Sequence, residues 1–122
     1  MLTIKKEELN DKLDAFLNEV DIKEDLHGKI IMCAKDDDVY LGVVTLELRI
    51  DKVYLNLVKT KSDDLVLKLA LIKSILNLAD LRGIKMVYGE NEELASLYKM
   101  SKFVKENGQY ALNLEGYFTC GC

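Results

Sequence analysis

The sequence predicts an α/β (α+β) fold: one domain over residues 1–122, with a mixed, mostly antiparallel sheet, one parallel strand pair at a central cleft, and flanking helices. Three observations predict it. The apolar period switches between 3.6 and 2 along the chain, with no linker, repeat or low-complexity segment between the changes. Three β-type runs between residues 29 and 59 are joined by short connections, which favours an antiparallel meander. A strand, a long helix and a second strand then follow between residues 53 and 88, and such a unit makes a parallel pair with a right-handed crossover.

Each element has a local reason. Leu2 to Ile4 reads as a short strand. From Lys6 onward Leu9, Leu13, Phe16, Leu17 and Val20 fall on one helical face, and Glu7 and Glu8 are placed in the first turn, where negative charge suits the helix dipole. Asp21 to His27 is expected to add a short helical turn. The meander is Lys29 to Lys35, Val39 to Ile50 and Val53 to Lys59. The acidic Asp36-Asp37-Asp38 reads as a solvated turn, with a cation site as the alternative, and Gly42 marks a bulge or a close backbone approach. The long helix is expected over about Asp63 to Arg82, capped by Ser62 and ended by Gly83. It is apolar on nearly all sides, so a sheet and other elements or a partner chain should cover it. Ile84 to Tyr88 reads as a buried strand and Glu92 to Lys102 as a short helix. Asn107-Gly108 joins Phe103–Glu106 to Tyr110–Leu114 as a hairpin. Residues 115–122 form a C-terminal tail.

Composition narrows the classes. With 49% hydrophobic and 31% charged residues the chain is ordinary globular material. Seventeen Lys and Arg against 21 Asp and Glu, with no basic block, argue against nucleic acid as a partner. No apolar run approaches the roughly 18 residues that span a bilayer, and the N-terminus has no apolar signal region. Neither a membrane partner nor secretion is expected, and the cytoplasm is the default location. Three cysteines make no disulfide framework.

Asn91-Glu-Glu-Leu-Ala95-Ser-Leu97-Tyr98-Lys-Met-Ser-Lys-Phe103 resembles the N-x-x-x-A-x-L-Y-x-x-x-G-F segment of the GNAT (Gcn5-related N-acetyltransferase) family. Arg82 to Tyr88 resembles that family's helix end and following strand, and Tyr40-Leu41-Gly42-Val43-Val44 its central meander strand. The resemblance covers essentially the whole chain. It implies a cleft between the parallel strands, lined near Leu57, Val58 and Tyr88, with Tyr98 close by. It implies that Lys59, Ser62 and Asn91 border the cofactor, that Tyr98 protonates the CoA thiolate, and that Glu47 is the candidate base; read from the residues alone, Asn91 caps the short helix, Tyr98 packs on the sheet and Glu47 pairs with a neighbour.

The chain departs from the pattern where the cofactor binds. The family opens its long helix with R/Q-x-x-G-x-G/A, because glycines let backbone N–H groups approach a pyrophosphate. Here the stretch is Lys59-Thr-Lys-Ser-Asp-Asp-Leu-Val-Leu-Lys68, with no glycine, and Leu65 and Leu67 stand at the glycine positions. Acetyl-CoA is therefore a disfavoured cofactor. The leading expectation is a binding or interaction module, or a domain with a non-standard ligand, with a homo-oligomer or protein partner open. The alternatives are an acetyl-CoA-dependent N-acetyltransferase acting on a small amine or peptide, and a thiol or metal protein acting through Cys120 and Cys122. Two thiolates two residues apart suit a soft metal but do not complete a tetrahedral site.

Overall fold

The computed structural model describes residues 1–118. Its elements run β1 (Leu2–Glu7), α1 (Asp11–Glu19), β2 (Ile30–Asp36), β3 (Val39–Leu48), β4 (Val53–Thr60), α2 (Leu65–Leu81), β5 (Met86–Gly89), a 3-10 turn (Glu92–Leu94), α3 (Ala95–Met100), β6 (Val104–Glu106) and β7 (Gln109–Asn113). The seven strands form one sheet in the order β1-β2-β3-β4-β5-β7-β6. Every neighbouring pair is antiparallel except β4–β5, which is parallel.

Each face of the sheet carries one core. On one face α2 buries Leu67, Leu71, Ile72, Ile75, Leu76 and Ala79 against Val44, Leu46, Leu55, Val58 and Val87. On the other, α1 buries Leu13, Phe16 and Leu17 against Ile31, Cys33, Val43 and Leu57. A fully buried leucine stabilises by about 1.5–3 kcal/mol, so these two clusters are the main folding drive.

Several boundaries differ from the sequence expectation, for local reasons. β1 continues to Glu7, pairing Glu7 with Ile31, so α1 begins later; Asn10 caps it through a 2.9 Å bond from Leu13 N–H, and Asp11 and Asp14 occupy its first turn. Residues 21–27 are irregular chain between two turns rather than a helix. The cap of α2 is Asp64, not Ser62: its carboxylate accepts the Leu67 N–H at 3.0 Å. Thr60 fixes this choice, since its hydroxyl donates to Ser62 O and accepts from Asp64 N–H. Gly83, at φ +81°, closes α2 in the left-handed conformation that glycine adopts without strain.

Two bulges shape the centre. Between β2 and β3 the extra residue is Leu41, beside Gly42, where a Cβ would come 2.8 Å from Leu71 and 3.2 Å from the Lys59 carbonyl. Between β3 and β4 the register advances two residues on β3, from Thr45 to Glu47, and three on β4, from Leu57 to Tyr54. The extra residue therefore lies in β4 at Leu55–Asn56. It explains how Leu55 and Val58, three apart, both join the α2-side core.

Candidate functional site at the β4–β5 splay

The parallel pairing of β4 with β5 is confined to one register position, Tyr54 opposite Tyr88. The bulge follows at once, the two strands part, and a splay opens. Side chains span it. Tyr98 of α3 donates its hydroxyl to Leu55 O at 2.6 Å, and Asn91 Nδ2 donates to Asn56 O at 2.9 Å. The first two β4 carbonyls beyond the parallel pair are thus both taken. Asn56 reaches back: its Oδ1 accepts the Glu90 N–H at 2.9 Å and its Nδ2 donates to Glu90 Oε1 at 3.3 Å. Asn91 Oδ1 accepts the Glu93 N–H, which starts the 3-10 turn before α3.

Tyr98 is wholly buried, 0% exposed. Its ring packs against Phe103 and Tyr110, with centroids 5.0 and 4.8 Å away. Gly89 supplies the remaining wall; a Cβ there would lie 2.3 Å from the Tyr98 ring. Burial pushes the phenol up to about 12, against a smaller opposing effect of the Asn91 N–H. The structure thus places Tyr98 at the splay, with its proton directed at a backbone carbonyl.

Glu47 lies at the mouth of the same region. It accepts from Arg49 Nε at 2.8 Å and sits 3.8 Å from Lys29 Nζ. The Arg49 hydrogen bond holds its carboxyl below the usual carboxylate range, opposite to the direction a proton acceptor near neutral pH needs. Arg49 also donates to Glu90 at 2.5 Å and lies 3.9 Å over the Tyr54 ring. It ties the end of β3 to the chain just after β5, across the splay mouth.

At the start of α2, Asp64 occupies the Leu67 N–H. Asp63 accepts from Lys68 at 2.5 Å, which holds its carboxyl below the usual range and keeps it charged. Lys61 is 3.9 Å from Glu19, so Lys59 alone of the nearby lysines makes no ion pair among the described residues. Leu67, at a glycine position of the family pattern, is buried in the core; Leu65, at the other, is 47% exposed.

Tyr98 and Asn91 meet at the splay. Leu57 and Val58 are on β4 just beyond the bulge but point to opposite cores. Lys59 and Ser62 lie towards the start of α2, and Glu47 at the mouth. Cys120 and Cys122 lie outside the described residues. Among the described residues, no group of three His, Cys, Asp or Glu could hold a metal. No helix is long and apolar enough to cross a membrane. Sequence reasoning missed Asn56, Gly89 and Glu90. Asn56 carried a signal, an amide between Leu55 and Leu57 inside a β-type run.

No protein-family model matches the chain, and no curated protein is significantly similar to it. Solved structures share its fold. An N-acetyltransferase from Staphylococcus aureus Mu50 superposes with a TM-score of 0.74 at 16% identity, over 94% of this chain and 99% of that one. A Bacillus subtilis acetyltransferase in complex with CoA gives 0.70 at 20% identity, over 93% and 99%. A GNAT-family acetyltransferase from Elizabethkingia anophelis with acetyl-CoA bound gives 0.68 at 14% identity, over 92% and 97%. The chain has the GNAT fold, the mixed sheet with one parallel pair that its element order implies.

Proposed function

We propose that this GNAT-fold domain is a binding module whose cofactor splay is closed by its own side chains, and that it does not transfer acetyl groups from acetyl-CoA. The observation that carries this reading is the pair of β4 carbonyls beyond the parallel register, Leu55 O and Asn56 O, held by Tyr98 and Asn91. An acyl-CoA arm entering the splay would displace both bonds, each with a net value of about 0.5–1.5 kcal/mol. It would also press on the buried Tyr98 ring, which Phe103 and Tyr110 flank at 5.0 and 4.8 Å. The start of α2 adds repulsion. A pyrophosphate charge about 4 Å from an aspartate costs roughly 1 kcal/mol in water and about 4 at an effective dielectric of 20.

The N-acetyltransferase reading is the second one. It is favoured by the position of Tyr98 in the splay and by two structural neighbours that hold CoA or acetyl-CoA. It requires the Tyr98 hydroxyl to leave Leu55 O and a base other than Glu47.

Thermal melting with acetyl-CoA and CoA separates the two. A ligand present at 100 times its Kd stabilises by about 2.7 kcal/mol. For a domain of this size that raises Tm by roughly 10 °C. The binding-module reading predicts no rise with either ligand. A rise of that order, with acetyl transfer to an amine, would replace it with the enzyme reading.

A further inference from the structure

A groove of about 550 Å³ lies between α2, the end of α3 and the segment after β7, and it shares no lining residue with the splay. Its apolar wall is Leu69, Met100, Tyr117 and Phe118, and Lys73 and Lys102 stand at its rim. The wall is built rather than incidental. Tyr117 donates its hydroxyl to Ser101 O at 3.0 Å, and its ring meets Phe118 edge to face at 4.7 Å. The volume is that of a small-molecule site.

Charge and backbone both say what such a molecule carries. Among the described residues, no Asp or Glu lines the groove, in a chain with 21 of them. Lys73 and Lys102 make no ion pair among the described residues, so both ammonium groups are free to meet an anion in the groove. Lys102 also has φ +75°, a left-handed conformation that a helix end normally gives to glycine. A lysine thus stands where glycine would be less strained, and it brings a cation to the edge of the groove.

We propose that this groove binds a small amphipathic organic anion, with its anionic head on Lys73 and Lys102 and an aliphatic or aromatic body against Met100, Tyr117 and Phe118. It is a site separate from the splay and holds whether or not CoA enters there.

The probe is 8-anilinonaphthalene-1-sulfonate, an aromatic anion whose fluorescence rises in apolar sites, added to the folded full chain, with decanoate as competitor. One saturable probe site per chain is expected, displaced by decanoate and weakened by added salt. Lys73→Glu and Lys102→Glu should each weaken it by about fivefold or more, while Lys85→Glu, away from the groove, leaves it unchanged. Salt sensitivity of the wild-type protein keeps the test decisive if a variant fails to fold. Absence of a saturable site, displacement by decanol as effective as by decanoate, or equal binding by Lys73→Glu and wild type would overturn the proposal. Competitive displacement by acetyl-CoA would also overturn it, by making the groove part of the splay site.

Discussion

Replacing Gly89 by Ala puts a methyl carbon where the Tyr98 ring stands, 2.3 Å from Cζ, 2.4 Å from Cε1 and 2.6 Å from the hydroxyl oxygen. Real Cβ contacts are not this short, so the ring or β5 must move. The ring has little room, because Phe103 and Tyr110 flank it and Tyr98 is wholly buried. β5 has little room either, because Gly89 pairs with Tyr110 of β7. Overpacking of this kind costs about 1–3 kcal/mol, and loss of the Tyr98–Leu55 hydrogen bond adds about 1. The expected total is about 3 kcal/mol, or a fall in Tm of roughly 10–15 °C for a domain of this length. Urea unfolding followed by circular dichroism measures it. A cost below about 1 kcal/mol would mean that the Tyr98 ring steps aside easily and that its hydroxyl is not locked on Leu55.

Other outcomes follow from the same geometry. Asp64→Ala should cost about 1 kcal/mol of stability by removing the α2 cap, while Ser62→Ala should cost much less, because Ser62 contributes only its carbonyl there. Burial raises Tyr98 from 10.0 and Cys33 from 9.0, each to about 12. Both groups hold their protons more tightly when folded, so their contributions are intact below the ordinary values and are lost as pH climbs towards about 12. Urea midpoints taken from pH 8 to 11 should therefore fall, and Tyr98→Phe should make the fall shallower. In a Cys120→Ser/Cys122→Ser variant, Cys33 should resist a thiol reagent at pH 8 until the protein is unfolded, because burial keeps it a thiol. Lys102→Gly should raise stability by about 0.5–1 kcal/mol in thermal melts by relieving its left-handed backbone.

The long-range plan was legible because it rests on patterns that local chemistry enforces. The apolar set of α1 and the strand–helix–strand order each admit few alternatives, and Asn107-Gly108 takes the two positive φ values, 50° and 82°, that a tight hairpin turn needs. Other features had no local signature. β1 runs past Ile4 through Lys5, Lys6 and Glu7, polar residues that an edge strand tolerates because one side of it faces solvent. The α2 cap was ambiguous because serine and aspartate cap equally well, and only Thr60, folded back over the loop, selects Asp64. The β4 bulge was hidden because Leu55, Leu57 and Val58 read as one apolar run whichever face each takes. The candidate site was half legible. Tyr98 and Asn91 came from motif spacing, whereas their acceptors are carbonyls, which every residue has. Asn56 and Glu90 become meaningful only when β4 and the end of β5 are brought side by side.

The most direct test of the closed splay is a calorimetric titration of acetyl-CoA into the wild-type protein. A closed splay gives no saturable heat, meaning a Kd weaker than about 1 mM, or less than about 4 kcal/mol of binding free energy. One-site binding near 1 μM, about 8 kcal/mol, would contradict it.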